Sequence, residues 1–418
     1  MKKKIAATLL AIVMVFGLPA GLGASAEEPV TIRFSTWDTA VQLATYQAVI
    51  DKFMEENPDI IVQAESVPEN YEQKLLTAAA AGNAPDVFLF WNYPMLIGET
   101  KIIIPLDEYV GTLIDESLYY PEIFESSRVN GELYSVPNIP TTRAVYYNKD
   151  LFDAAGVEYP TDDWTWDDFV EIAIKLTDKD QNQYGFVTEA RGAYTVQQFV
   201  WTNGGDFVGE DGVTVDGYIN SPETVEAVQW YADLVTKHKV SPTPSSSTTM
   251  GGATEMFKTG KVAMIESGMW QLNAFKEIFN VGTVMTPTKD GKRIGVMHTS
   301  GLCVSVDTQY PEQAVRFAAE FGGKSGQTEF VKLGYGIAEM PSIAEELGTV
   351  AVDEYTKAFY DMIPYCVMKP CFFRAPNWAL IDEKLSSAID LVQSGEATAQ
   401  EALDEAVMII QQSLLVGN

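Results

Sequence analysis

Acidic and amide side chains between residues 178 and 189 have a spacing that suits calcium. Asp178, Asp180, Asn182 and Glu189 fall at positions 1, 3, 5 and 12 of a calcium-loop pattern. Position 6 is Gln183, whereas the sharp turn of such a loop requires glycine. The alternative interpretation is a polar turn between a helix and a strand, so we predict no metal here.

Other residue types that commonly carry catalysis do not form a recognisable motif. His238 and His298 are the two histidines, and each is expected to be a surface residue or a hydrogen-bonded core residue. Gly323-Lys324-Ser325 resembles the end of a phosphate loop, but Ala318 stands where its first glycine belongs. With 58 acidic residues, carboxylate pairs are inevitable, so a secreted carbohydrate-active enzyme stays open as an alternative. A surface adhesion or sensory module is a third class.

The segment 131–152 is the most informative part of the chain. Pro137 and Pro140 lack a backbone donor and fix φ, which predicts an extended backbone that is neither helical nor inside a paired ladder. The chain then resumes as a strand through Ala144–Tyr147. Such an interrupted strand favours a crossing between two lobes, with residues such as Thr141 and Arg143 facing the cleft between them.

Residues 1–26 have the pattern of a signal peptide. Lys2-Lys3-Lys4 precede an apolar run, Ile5–Phe16, and the small residues Ala24-Ser25-Ala26 form a cleavage site. The run is short for a membrane span, although an uncleaved anchor is the alternative. Because no cysteine precedes Cys303, we expect an exported, non-lipidated protein that starts near Glu27, in the periplasm or secreted.

Charge and length narrow the class of protein further. The chain has 28 basic and 58 acidic residues and a net charge of −30. This field repels nucleic acid and anionic membranes at long range, so neither is an expected partner. Without the leader the chain still exceeds the size of a typical single core, which predicts two lobes. We expect a monomer.

Three cysteines leave an odd count in an oxidising compartment. Cys366 and Cys371 lie close enough in sequence to form a disulfide, and the alternative is three buried thiols. Their spacing is not that of a metal site, and no cofactor is predicted.

Hydrophobic patterns predict an α/β fold. Strands at 31–34, 60–64 and 87–91 alternate with helices at 39–54 and 69–81, which indicates a mostly parallel sheet wrapped by helices. Helix starts are predicted at Thr165 with Asp168, at Ser221-Pro222 and at Pro311. Further predictions are a flexible loop at 241–252, a hairpin tip at Asp290-Gly291, an extended run at 294–306, a helix end at Gly322, and a wholly helical 378–415.

Several short motifs, in this order, resemble the extracellular solute-binding proteins of ATP-driven sugar importers, of the maltose-binding-protein kind. The motifs are Trp37-Asp38, 82–87, Tyr147-Asn148-Lys149 at the end of 131–152, Tyr184-Gly185-Phe186, 257–264 and Gly268-Met269-Trp270. The resemblance covers nearly all of the chain after the leader. It implies a two-lobed α/β clamshell (type II) with a five-stranded-type sheet in each lobe.

The resemblance also implies three interlobe crossings, near 138–143, 295–299 and Ala344. Lobe 1 would comprise 27–139 and 296–344, and lobe 2 would comprise 140–295 and 345–418. The implied function is to bind a mono- or oligosaccharide between the lobes and deliver it to the membrane permease of an ABC importer. No covalent step is implied.

Sugars are bound by aromatic rings that stack on C–H faces and by carboxylates, amides and arginine that hold hydroxyls. By position relative to the family's motifs, the candidate ligand-binding residues are Trp37, Asp38, Trp91, Asn92, Arg143, Tyr194, Trp270 and Trp378. All of these are expected at strand ends, loops or helix starts, where open α/β sheets place ligands.

Structural roles compete with binding at several positions. Asp38 is equally suited to cap the helix that starts at Thr39, and Asp86 to cap local backbone donors. The motif at 147–149 is expected to be structural. Trp164, Trp166, Trp201 and Trp230 are expected in the core. An acidic sugar or polyol phosphate is the alternative ligand, held by Arg143, Arg191 and Arg374, and a polyamine is a further one.

Overall fold

Strands and helices alternate along the part of the chain that the structure, a computed structural model, describes. The described residues are 28–91, 93–98, 100–188, 192–334, 336–348 and 352–416. The predicted leader and the candidate Asn92 lie outside them, as do Glu189 and Arg191. In these ranges, none of the helices combines the length and hydropathy needed to cross a bilayer.

The strands belong to one large sheet and one small hairpin. They are β1 (Val30–Thr36), β2 (Ile60–Ser66), β3 (Val87–Phe90), β4 (Arg128–Val129), β5 (Glu132–Leu133), β6 (Val136–Asn148), β7 (Tyr184–Phe186), β8 (Val262–Gly268), β9 (Val281–Val284) and β10 (Met297–Val304).

Helices cover the faces and ends of the large sheet. They are α1 (Ala40–Glu56), α2 (Tyr71–Ala80), α3 (Tyr93–Gly98), α4 (Pro121–Glu125), α5 (Lys149–Ala155), α6 (Trp166–Lys175), α7 (Gly192–Thr202), α8 (Pro222–Thr236), α9 (Pro244–Thr249), α10 (Ala253–Lys258), α11 (Leu272–Lys276), α12 (Pro311–Phe321), α13 (Lys324–Lys332), α14 (Pro341–Leu347), α15 (Lys357–Met362), α16 (Cys371–Arg374), α17 (Trp378–Ser394) and α18 (Ala399–Val416).

The large sheet has the order β2-β1-β3-β10-β6-β8-β7, and β9 also pairs with β6. Strands β1, β2 and β3 are parallel, as the βαβαβ pattern predicts, but β10 and β6 run antiparallel to their neighbours. The sheet is therefore mixed rather than mostly parallel. Among the described residues one half has five strands and the other has four, fewer than the resemblance implied for the second.

Strand β6 belongs to both halves of the sheet. Its residues up to Thr142 pair with β10, and from Arg143 onward it pairs with β8 and β9. The prediction that Pro137 and Pro140 would keep this segment out of a ladder is wrong, because Pro137 faces Gly301 within it. Among the described strands, β6 pairs in this half with β10 alone. An edge strand tolerates proline because it uses only one side of its backbone.

Helix starts follow the predicted side chains. Thr165 and Asp168 form a capping box at the start of α6, and Ser221 caps α8 ahead of Pro222. Helix α1 is capped by Thr39 with Gln42, which excludes the alternative that Asp38 caps this helix. Hydroxyl and carboxylate oxygens satisfy backbone N–H groups that have no partner inside the helix.

Two sequence predictions missed local structure. The expected loop at 241–252 contains α9, which Thr243 caps and Pro244 opens. The expected continuous helix at 378–415 is two helices, because Gly395 ends α17 with φ +74°. A left-handed glycine is a common helix stop, and it allows α17 and α18 to pack against each other.

The apolar residues form three clusters. One packs β1 and β3 against α1, α12 and α13, a second surrounds β8 and α11, and a larger third joins both halves of the sheet. Trp164, Trp166 and Trp201 are buried and Trp230 packs against the same core, as predicted.

The three cysteines are free thiols, of which Cys303 and Cys371 are buried and Cys366 is partly buried. Of the two alternatives that the sequence left open, the structure therefore agrees with thiols and not with a disulfide between Cys366 and Cys371.

Candidate functional site

A cavity of about 890 Å³ opens where the two halves of the sheet meet. Its polar lining comes from the ends of β1 and α2, from the crossing strands β6 and β10, and from the turn after β8. Ligands of open α/β sheets bind at the carboxyl ends of strands, where β1 and β3 deliver their following residues. The lining residues are Trp37, Asp38, Gln42, Tyr46, Asn70, Tyr71, Glu72, Gln73, Trp91, Thr141, Tyr194, Trp270, Gln271, His298, Thr299, Ser300 and Phe372.

One wall of the cavity is an aromatic cluster that follows β1 and β3. The Trp37 ring lies 5.4 Å from Trp91 and 5.7 Å from Tyr71, both edge to face. Trp91 stacks on Phe90 at 4.7 Å yet is 37 % exposed. This wall therefore presents an indole that is supported from behind and open to the cavity.

A second aromatic wall of the cavity is built from α7, α16 and the turn after β8. Trp270 is 41 % exposed, and its ring lies 6.1 Å from that of His298. Tyr194 lies 4.6 Å from His298, and Phe372 lies parallel to the imidazole. Exposed tryptophans thus stand on both walls, which suits a ligand with two apolar faces.

Arg143 does not reach the cavity surface. It is 1 % exposed and makes a bidentate ion pair with Glu266, in which Nη2 lies 2.6 Å from Oε2. Its guanidinium lies 5.4 Å from the centroid of the Tyr194 ring and 6.0 Å from that of Trp270. The prediction of Arg143 as a ligand contact is therefore corrected: it lies behind two aromatic rings of the wall.

Trp378 is also not a lining residue. It is the first residue of α17, is 7 % exposed, and belongs to the largest apolar cluster. The helix start suggested a site, but the neighbouring helices bury this ring. The structure brings together five of the eight candidates, which are Trp37, Asp38, Trp91, Tyr194 and Trp270.

Asp38 places a buried carboxylate at the edge of the cavity. It is 6 % exposed and accepts a hydrogen bond of 2.6 Å from the Thr36 hydroxyl. Burial raises the pKa of Asp38, while hydrogen bonds from Thr36 and Tyr46 act in the opposite direction. Such a carboxylate has strong acceptor capacity for a ligand hydroxyl.

His298 was expected to be a surface residue or a satisfied core residue, and this expectation is wrong. It lines the cavity with 8 % exposure, and its Nδ1 lies 2.7 Å from the Tyr194 hydroxyl. Its Nε2 has no hydrogen-bond partner within the part of the chain that the structure describes. Burial, and then the charge of Arg143, hold the pKa of His298 well below its usual value, so the imidazole is neutral at pH 7.

Sequence reasoning also missed the start of α2. Asn70 has the left-handed φ of +51°, and its side chain makes no cap bond to the helix. It lines the cavity beside Tyr71 and Glu72. Non-glycine residues in this conformation often mark functional positions, but the conformation cannot be inferred from the letters Pro68-Glu69-Asn70.

The charged residues of the cavity lining are acidic. The lining includes Asp38 and Glu72 and, among the described residues, neither lysine nor arginine. The described residues contain no cluster of histidine, cysteine and carboxylate side chains that would hold a metal. In the calcium-like segment, Asp178 instead accepts the backbone N–H groups of Asp180 and Gln181.

The cleft between two α/β halves, lined by aromatic rings, defines a solute-binding protein. The sequence model of the bacterial extracellular solute-binding proteins matches residues 36–328, so the chain belongs to this family. As the resemblance of its motifs implied, it has the two-lobed α/β clamshell fold, and the family is one of binding proteins rather than enzymes.

Three similar proteins illustrate the range of the family. The sn-glycerol-3-phosphate-binding periplasmic protein UgpB of Shigella dysenteriae is 26 % identical over 390 residues, which cover 86 % of this chain and 87 % of that protein. An ABC substrate-binding protein of Listeria monocytogenes, solved with cycloalternan, is 26 % identical with a TM-score of 0.83, covering 93 % and 99 %. The GacH receptor of Streptomyces glaucescens, solved with acarbose, is 25 % identical with a TM-score of 0.79, covering 92 % and 98 %.

Proposed function

We propose that this chain binds a neutral carbohydrate in the cavity between its lobes and delivers it to the permease of an ABC importer. The observation that carries the proposal is the pair of exposed indoles in the cavity lining, Trp91 after β3 in one half of the sheet and Trp270 after β8 in the other. A pyranose ring offers two apolar C–H faces, and aromatic rings on both sides bind such a ligand. Carboxylate, amide and hydroxyl groups in the same lining suit its hydroxyls.

The charge of the cavity argues against a phosphate ester, although UgpB relatives are named for one. An anion would lie near Asp38 and Glu72 with no described lysine or arginine in the lining. Arg143 is paired with Glu266, and both Nη2 contacts of Arg374 to Asp206 are 2.8 Å. Buried like charges without a counterion cost several kcal/mol, whereas a neutral sugar avoids this repulsion.

The two lobes that we propose to close around the ligand are 27–139 with 296–344, and 140–295 with 345–418. The change of partner of β6 between Thr142 and Arg143 supports the first boundary. Ile343 packs with the cluster around β1, whereas Phe359 packs with that around β8, which supports a crossing between them. A ligand that touches both lobes stabilises the closed form through contacts that the open form lacks.

We further propose that residues 1–26 direct export, that no lipid anchor is added, and that the protein works as a monomer in the periplasm or outside the cell. The family's extracellular description supports this location. Binding is reversible and needs no cofactor in this account.

Calorimetric titration tests the proposed ligand class. The chain is titrated with cycloalternan, acarbose, a panel of disaccharides and sn-glycerol 3-phosphate. We expect a sugar to bind and Trp270→Ala to weaken this binding by about 1–3 kcal/mol, which is roughly five- to 150-fold in Kd. Binding of the phosphate ester without binding of any sugar would contradict the proposal.

A further inference from the structure

Trp270 lies against the backbone of Gly268, the last residue of β8. A Cβ atom built on this glycine would lie 1.9 Å from Cζ3 and 2.3 Å from Cε3 of the indole. Real Cβ atoms essentially never approach a heavy atom closer than 3.0 Å, so any other residue displaces the ring by more than about 1 Å. The φ of Gly268 is −86° and its ψ is 170°, which other residues adopt freely. Glycine is therefore required at position 268 because a Cβ atom would collide with the indole, and not because of the backbone conformation.

Two side chains of β6 hold the backbone of the turn that carries Trp270, and a third, Arg143, lies near the ring. The Thr141 hydroxyl accepts the Met269 N–H at 2.9 Å, and the Tyr146 hydroxyl donates to the Gly268 carbonyl at 2.9 Å. The guanidinium of Arg143 lies 6.0 Å from the Trp270 ring. The backbone of the turn is thus fixed to the strand that both halves of the sheet share. The space that a Cβ atom of residue 268 would fill then determines the position of the indole.

We propose that Gly268 is a positioning residue that sets the plane of the Trp270 indole before the ligand arrives. This inference rests on the proposed function, because it concerns how the second wall presents its ring to a sugar. A ring that is already in place loses little rotamer freedom on binding, so more of the stacking energy appears as affinity. Gly268→Ala forces the indole out of this plane while leaving every polar lining group in place.

The chain offers a matched control at Gly282 in β9. A Cβ atom there would lie 2.1 Å from Cζ of Tyr147, a comparable steric conflict with an aromatic ring. Neither Gly282 nor Tyr147 lines the cavity. We expect Gly282→Ala to lower the melting temperature and leave sugar affinity unchanged, whereas Gly268→Ala lowers affinity at least tenfold.

A double-mutant comparison separates positioning from general damage. Trp270→Ala removes the atoms that meet the new methyl group, so Gly268→Ala should cost no further affinity and no further stability in that background. The sugar used is the member of the titration panel that wild type binds most tightly. An equal loss in both backgrounds, or no loss in wild type, would overturn the proposal.

Indole N–H resonances give a readout that needs no ligand. The chain has eight tryptophans, and the Trp270 resonance is identified by its absence in Trp270→Phe. Gly268→Ala should move this resonance more than those of the other indoles, and Gly282→Ala should leave it in place. An unmoved Trp270 resonance in Gly268→Ala overturns the inference. If wild type binds no sugar, the proposed function fails, and the resonance still decides the positioning role.

Discussion

Removing the charge of Glu266 tests how the second wall of the cavity is held. Arg143 and Glu266 are 1 % and 4 % exposed, and the carboxylate accepts from both Nε and Nη2 of the guanidinium. Glu266→Gln keeps the shape of the side chain, so it opens no cavity, but it leaves a buried cation without its counterion. Breaking a buried ion pair from one side costs about 3–5 kcal/mol. Because the amide oxygen still accepts one bond, we expect about 3 kcal/mol.

Urea unfolding followed by circular dichroism measures this loss, with Glu329→Gln as the control. Glu329 pairs with Lys332 at 2.8 Å, but both side chains are nearly half exposed, and such pairs contribute about 0–1 kcal/mol. The double variant Arg143→Met with Glu266→Leu removes both charges and should be more stable than Glu266→Gln alone. The reasoning is refuted if Glu266→Gln costs no more than Glu329→Gln, or if the double variant is the less stable of the two.

Three further predictions concern the cavity and its surroundings. Trp91→Ala should weaken sugar binding by tenfold or more in calorimetry, because the Trp91 ring is exposed in the cavity. Trp378→Ala should instead lower the free energy of unfolding by about 3–5 kcal/mol, because the Trp378 ring is in the core. Because burial raises the pKa of Asp38, the folded chain binds this proton more tightly than the unfolded chain, and the ionised carboxylate destabilises the fold at pH 7. Asp38→Asn should therefore raise the melting temperature at pH 7, and this gain should disappear as the pH falls toward 3.8. The same substitution should weaken sugar binding. Because burial lowers the pKa of His298, below pH 6.5 the unfolded chain binds a proton at this residue that the folded chain does not bind. As the pH falls below 6.5, wild type should therefore lose stability relative to His298→Asn by about 1.4 kcal/mol per pH unit.

Each of these has a contrary outcome. Equal effects of Trp91→Ala and Trp378→Ala on affinity would remove the distinction between wall and core. A drop in melting temperature for Asp38→Asn at pH 7 would show that its hydrogen bonds outweigh its desolvation. A difference in stability between wild type and His298→Asn that does not change from pH 7 to pH 5 would show that the imidazole titrates normally.

The fold was largely predictable from local chemistry. The capping box of Thr165 and Asp168 and the proline after Ser221 fix helix starts through neighbouring side chains alone, and the structure confirms both. Strand β6 was misjudged, because the tolerance of Pro137 depends on which strands lie on either side of it. That arrangement depends on β10, more than 150 residues further along the chain.

The site was predictable where residues follow strands directly. Trp37, Trp91 and Trp270 were found because each comes after a strand or its adjoining turn. The roles of Arg143 and His298 were not predicted, because they depend on residues that are distant in sequence. Arg143 is buried through its ion pair with Glu266, and His298 lies in the cavity lining beside Tyr194. Sequence alone indicates which side chains can bind a sugar, but packing decides which of them reach it.

The most direct test of the central claim is calorimetric titration of the wild-type chain with neutral sugars and with sn-glycerol 3-phosphate, side by side. We predict saturable binding of at least one neutral sugar, weakened by Trp91→Ala or by Trp270→Ala, and no binding of the phosphate ester. Tight binding of the phosphate ester, unaffected by either tryptophan substitution, would contradict this prediction.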